Sequence, residues 1–307
     1  MAPMPGETRR VFLRRSGAAA LAAGALSASG HATPTPARWP LGAIVNIGPD
    51  PAADLARVRA LGLPTCQLEL DDFRPAVLAR LAAALPASGL RCTALGTAGP
   101  GPSVYNFYDG PLTLGLVPPT FRAQRIQRIQ RLSDFARRVG VAAIRIHVGF
   151  IPGDPNRGLY REVVEALRQV VGHCRRNGQR FLYETGTETP VTLLRTILDV
   201  GLDNQGVNLD TGNFIVYGTA NPVDSLDVIG RYVENLHAKD GLYPTGPRAL
   251  GEEVVIPHGK VDFPRLFARL RALDYRGPVT IERETAGARW AVEVAAERDY
   301  LRRLLGR

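Results

Sequence analysis

Past residue 40 the chain writes one local pattern eight times. A short strand-like run is followed by a longer one whose apolar residues return every three or four positions. The short runs are GAIVNI (42–47), TCQLEL (65–70), RCTALG (91–96), AAIRIHV (142–148), RFLYET (180–185), GVNLD (206–210), VENLHAK (233–239) and PVTIER (278–283). Between them lie stretches such as RPAVLARLAAAL and YREVVEALRQVVGHCRRNG, several closed by glycine, a common helix stop. Eight strand–helix units predict an α/β single domain over residues 41–307, a (β/α)8 TIM barrel. An open doubly wound sheet also alternates, but it uses fewer strands and a Gly-rich phosphate turn after the first. NIGPDPAAD offers no such turn.

Parity along the runs says what the barrel encloses. Successive strand residues point to opposite faces. Val233, Asn235, His237 and Lys239 therefore share one face, as do Asn208 and Asp210, Thr280 and Glu282, and Arg145 and His147. The opposite faces carry Leu236, Leu209, Ile281, Ile144 and Ile146, which suit packing against outer helices. An interior that is polar towards the C-terminal rim marks the end where such barrels place their chemistry. Two long connections, 97–117 and 240–261, follow the third and seventh strands on that same rim. Both are rich in Gly, Pro and Tyr, as substrate loops tend to be.

The first 32 residues read differently. TRRVFLRRSGAAALAAGALSASGHAT pairs Arg9 with Arg10, continues with Phe12 and Leu13, and ends in small residues suited to cleavage. This is similar to a twin-arginine export signal over 1–32, with 33–40 as a linker. It implies the twin-arginine machinery as a partner and a periplasmic or extracellular address. The apolar run is too short and alanine-rich for a stable membrane span. Without this segment the formal charge falls from +9 to +6. No basic stripe remains to suggest a nucleic-acid partner. Cys66, Cys92 and Cys174 form no C-x-x-C pair and are expected to be buried thiols.

Four metal-capable side chains end the last four strands: Glu184, Asp210, His237 and Glu282. Inward-facing carboxylates converging on one volume repel unless a cation joins them. Three carboxylates and an imidazole, with no thiolate, suit one fairly hard divalent ion. Mn2+ fits best, and Mg2+, Co2+ or Zn2+ are also accommodated. Taking a proton from beside a carbonyl creates an enediolate whose charge a bound cation can stabilise. A carboxylate on each face can remove the proton from one side and return it on the other.

In the blocks ETGTETP, GVNLDTGNFIVYG, NLHAKDGLYP and VTIERE the chain resembles the sugar phosphate isomerase/epimerase superfamily, the xylose isomerase-like TIM barrels, over roughly 41–304. The resemblance implies that Glu184, Asp210, His237 and Glu282 hold the metal and that Glu184 and Glu282 transfer the proton. It implies a metal-dependent sugar isomerase or epimerase acting on a small carbohydrate. A lyase that dehydrates a keto-sugar or inositol derivative would begin with the same proton abstraction. Asn213 stands where several ketose epimerases carry histidine. An abasic-site endonuclease shares the fold but needs more histidines than this chain supplies, and a non-catalytic carbohydrate-binding barrel would not need the quartet. Because phosphorylated sugars are mainly cytoplasmic, export points to a free or keto-sugar. A homo-oligomer is compatible with all of this.

Lysine occurs only at 239 and 260 among 38 basic residues. A high-arginine composition reflects coding bias, so a lysine two places after His237 points to selection for a compact ammonium or its pKa, and to substrate contact. His147, Glu69, Asn213 and His258 are further substrate-binding candidates, with Gln67 beside Glu69 on the inward face. Asp240 is placed to orient its loop, Lys260 to be on the surface, and His173 to be structural.

Overall fold

The computed structural model describes residues 39–306. The expected export segment over 1–32 and nearly all of the expected linker lie outside the described residues. Eight parallel strands close into a barrel: β1 (Leu41–Asn46), β2 (Thr65–Glu69), β3 (Arg91–Gly96), β4 (Ala143–His147), β5 (Arg180–Glu184), β6 (Gln205–Asp210), β7 (Val233–Ala238) and β10 (Val279–Ile281). Strand β1 pairs with β2 on one side and β10 on the other, with Gly42 opposite Thr280. A hairpin of β8 (Asp240–Leu242) and β9 (Glu252–Val254) lies outside the barrel sheet, in the connection after β7.

Helices return the chain from each strand to the next: α1 (Pro51–Ala60), α2 (Pro75–Ser88), α3 (Gly110–Thr113), α4 (Pro119–Arg138), α5 (Gly158–Arg176), α6 (Pro190–Val200), α7 (Thr211–Val216), α8 (Pro222–Ile229), α9 (Phe263–Ala272) and α10 (Gly287–Leu304). Several begin with a capping side chain followed by proline, as at Asp50–Pro51, Thr189–Pro190 and Asn221–Pro222. The side-chain oxygen takes a free N–H of the first turn, and proline lacks the N–H that would be orphaned there. On α5, Val163, Val164, Leu167, Val170, Val171 and Cys174 are buried at three- and four-residue spacing. They join Ile144, Ile146, Phe181, Tyr183, Val207, Leu209, Leu236 and Ile281 in one apolar layer outside the sheet.

Inside the barrel the apolar content is small, a cluster of Ala94, Ala143 and Leu182. At the N-terminal end Arg180 pairs with Glu234. This pair explains one departure from strand parity. Val207 lies opposite Val233 but Asn208 lies opposite Asn235, so β7 carries a bulge at Glu234. The bulge turns Val233 into the outer apolar layer, contrary to its expected inward face, and sends the Glu234 carboxylate to Arg180. Beyond the bulge the parity is restored, with Asp210 opposite His237.

Both long connections have internal order. Arg125 of α4, 1% exposed, donates to the carbonyls of Pro100, Pro102, Thr113 and Gly115, which pins the connection after β3. Only a guanidinium offers enough fixed donors for such a set. In the connection after β7 the Asp240 carboxylate accepts the N–H groups of Gly241, Gly259 and Val261. The three cysteines are thiols; Cys66 and Cys174 are buried and Cys92 is partly so. No helix among the described residues is long and apolar enough to cross a membrane.

The connection after β7 is also tied to α10, where the Ile256 N–H donates to Glu297 at 3.1 Å. Burial pushes the Glu297 carboxyl from 4.5 up to about 8, against the smaller opposing effect of that bond. A carboxyl raised in the folded state favours folding below its ordinary pKa, and this is lost as the pH climbs through the raised value. The window is therefore about 4.5 to about 8. Glu297→Gln keeps an acceptor for Ile256 and removes the titration. Its stability relative to the wild type should rise by about 3–4 kcal/mol between about pH 5 and about pH 8. Urea unfolding at each pH reads this difference, and parallel pH profiles for the two proteins would show that Glu297 does not carry the shift.

Candidate active site

The C-terminal ends of the strands open into a cavity of about 620 Å3. Glu184 and Glu282 line it, with the fully buried Asp210 and His237 against them, and each of the four offers one donor atom within 4.8 Å of the others. His237 Nδ1 lies 3.3 Å from Glu184 Oε1 and 3.5 Å from Asp210 Oδ2, and it contacts Glu282 Oε2. Donors around one ion with bonds of about 2.1 Å stand about 3 Å apart. Asp210 Oδ2, His237 Nδ1 and Glu282 Oε2 have no hydrogen-bond partner of suitable geometry. Three buried orphan atoms converging in this way fit a shared divalent cation, and the donor set is of the right chemistry for one.

Local structure fixes each donor. Asp210 ends β6 and caps α7, its Oδ1 accepting the Asn213 N–H at 2.7 Å, which leaves Oδ2 facing His237. Strand β10 is shorter than the run 278–283 suggested and stops at Ile281. Glu282 keeps its place because its N–H still donates to Ala238 at 3.1 Å. Glu184 Oε2 accepts from Arg145 Nη1, so its Oε1 is the oxygen facing His237. Glu282 is arranged in mirror fashion: Oε1 lies 3.3 Å from Lys239 Nζ and Oε2 faces His237.

Arg145 also pairs with Glu69, and the guanidinium lies flush against Gly96, where a Cβ would fall 2.2 Å from Nη2. Any other residue at 96 would displace it. Burial pushes the Glu69 carboxyl up to about 7, although the charge of Arg145 pulls the other way. Burial would raise Glu184 as well, but Arg145 and His237 outweigh it and hold this carboxyl at about 2. Asp210 is raised to about 7 by burial and by Glu282. Burial disfavours charge on Lys239, yet Glu282 and Glu284 hold its pKa well above the usual lysine range. Lys239 is therefore an ammonium at neutral pH and no base.

His147, Glu69, Asn213 and Lys239 all line the cavity. His147 packs against Tyr217, and both of its ring nitrogens lack partners. Burial lowers its pKa, so it faces the cavity as a neutral imidazole. His258 is exposed and is not among the lining residues, and Lys260 is exposed as well. His173 lies on α5 and bonds Asp134. Residues not singled out from sequence also line the cavity: Glu284, which bonds Lys239, with Tyr105, Tyr217 and Trp290. Glu284 stands two places after Glu282, a spacing visible in the sequence, and Tyr105 belongs to the long connection after β3.

Residues 55–304 match the family described as xylose isomerase-like TIM barrel. Among solved structures, the chain is similar to a xylose isomerase domain protein from Planctomyces limnophilus, with 32% identity and a TM-score of 0.81 over 87% of this chain and 97% of that one. A xylose isomerase-like TIM barrel protein from Mycobacterium smegmatis, in complex with magnesium, shares 19% identity with a TM-score of 0.67 over 87% and 97%. The 3-keto-D-glucoside 4-epimerase of E. coli shares 16% identity with a TM-score of 0.62 over 87% and 99%. The last two likenesses are of fold. No curated protein matches the sequence. A family match across most of the length, on a closed barrel with this quartet at its mouth, makes the chain a member of the xylose isomerase-like TIM barrel family.

Proposed function

We propose that the protein is a divalent-metal-dependent isomerase or epimerase of a free or keto-sugar. The observation that carries this reading is the convergence of the orphan atoms Asp210 Oδ2, His237 Nδ1 and Glu282 Oε2 with Glu184 Oε1 at the base of the cavity. Glu184, Asp210, His237 and Glu282 would hold the ion, with Mn2+ favoured by three carboxylates and one imidazole. When bound, a divalent ion draws charge from a carbonyl oxygen and so acidifies the neighbouring C–H.

The chain's own groups supply the rest. Glu184 and Glu282 are the proton-carrying pair, each with its outer oxygen fixed by a cation, Arg145 for one and Lys239 for the other. The ammonium of Lys239 and the neutral imidazole of His147 face the same space and suit the hydroxyls of a sugar. Glu69 and Asn213 extend that polar wall. The three buried cations of the cavity, Arg145, Lys239 and Arg283, are all engaged by carboxylates. The exposed Arg57 at its wall lies over the Trp290 ring without an ion pair among the described residues. The pairing of the buried three favours an uncharged sugar over a sugar phosphate. Similar folds described as sugar epimerases, the keto-glucoside enzyme among them, support the same class.

The test is metal analysis of the purified protein, followed by incubation in D2O with free sugars, keto-sugars and sugar phosphates. One bound divalent ion per chain and deuterium at a carbon beside a carbonyl, without loss of water from the sugar, are expected. A dehydrated product would instead identify a lyase. Turnover confined to phosphorylated sugars would reject the substrate assignment, and absence of any bound metal would reject the mechanism.

A further inference from the structure

Between the base of the cavity and the barrel interior, three buried side chains form a line. Gln67 on β2 places Oε1 2.9 Å from His237 Nε2, and its Nε2 donates to Asn208 Oδ1 on β6 at 3.0 Å. Gln67, Asn208 and His237 each have 0% exposure, so no solvent competes for these bonds. We infer that Gln67, aligned by Asn208, is a positioning residue that holds the proton of His237 on Nε2 and thereby makes Nδ1 the metal-binding atom. The inference rests on the metal reading above.

The direction of the chain of bonds follows from elementary donor rules. An imidazole nitrogen that binds a cation carries no hydrogen, so the neutral ring must carry its hydrogen on the other nitrogen. With Nδ1 among three carboxylates, that hydrogen belongs on Nε2 and needs an acceptor. Gln67 provides one only if its amide oxygen faces the ring, which turns its NH2 towards β6. Asn208 completes the arrangement by presenting its own oxygen. Were both amides turned over, Gln67 would donate to Nε2, and the ring hydrogen would fall on Nδ1 and block the metal. An amide also orients the ring without adding a further negative charge to a site that already has three carboxylates. Partners of this kind set the affinity of the histidine they hold.

Gln67→Leu removes the acceptor and should weaken Mn2+ binding about 10–100-fold, measured by calorimetry on protein whose folding is checked by circular dichroism. Gln67→Glu restores an acceptor and should recover most of the affinity. Asn208→Leu leaves Gln67 free to turn and should weaken binding less. The double Leu variant should be no worse than Gln67→Leu alone, because the two act through one bond. Should Gln67→Leu not fold, the wild type still decides the matter. In the Zn2+-loaded protein, nitrogen-15 histidine spectra should show the His237 hydrogen on Nε2 and the metal-shifted signal on Nδ1. A folded Gln67→Leu that binds Mn2+ as tightly as the wild type, or a hydrogen on Nδ1 in the loaded protein, would overturn the inference. A wild type that takes up no ion would fail at the metal reading itself, and the inference would fall with it.

Discussion

Glu282→Gln should lower solvent deuterium exchange into the sugar by about 10²–10⁴-fold at saturating metal, the usual range for loss of a positioned acid–base group. Glutamine has nearly the same shape, so the fold should survive, but both of its orientations are compromised. Its NH2 must face either Lys239, a donor only, or the metal-binding quartet. Metal affinity should therefore fall as well, and exchange must be compared with the ion resupplied in excess. Glu284→Gln provides the contrast. Glu284 also bonds Lys239, but its side chain is 64% exposed and lies outside the quartet, so a small change is expected. Exchange at the wild-type rate in Glu282→Gln would remove this residue from the proton-transferring pair.

Much of the architecture could be read from parity because an inside–outside alternation has few solutions in a closed parallel sheet. Ile144, Ile146, Leu209, Leu236 and Ile281 pack outward as their spacing requires, while Glu184, Asp210, His237 and Glu282 gather within the barrel mouth. The departures come from interactions between residues distant in sequence. The bulge at Glu234 answers Arg180, 54 residues away, and no local pattern in VENLHAK announces it. Arg125 sits in an arginine-rich helix that reads as solvated, yet it is buried because four loop carbonyls converge on it. Helix α7 follows from Asp210 capping the next turn, a second role for a residue first noticed as a metal donor. The partnership of Gln67 with His237 joins positions 170 residues apart and becomes visible only when β2 and β7 face each other across the barrel.

Removing the ammonium of Lys239 should produce the largest stability change in the site. Lys239 is 2% exposed and sits between Glu282 and Glu284, with Asp210 also close enough to raise its pKa. Lys239→Met would leave buried carboxylate charge without its cation, a loss of about 3–5 kcal/mol. Urea unfolding in chelator reads it, and addition of Mn2+ should recover part of it because the ion neutralises the same carboxylates. Wild-type stability in Lys239→Met would show that the pair with Glu282 carries no weight. The stem runs flush against Gly212, where a Cβ would fall 2.5 Å from Cγ and 2.8 Å from Cβ of Lys239, a contact that arginine would share, so the two residues differ here only at the charged head. A planar fork is wider than an ammonium and cannot pivot between Glu282 and Glu284 in the same space. Lys239→Arg should therefore lose less stability than Lys239→Met yet fail to restore turnover, and Gly212→Ala should shift the unaltered lysine in the same sense. In a chain that writes 36 of its 38 cations as arginine, the size of the charged head favours lysine at this position, while the bare backbone at 212 makes room for its stem.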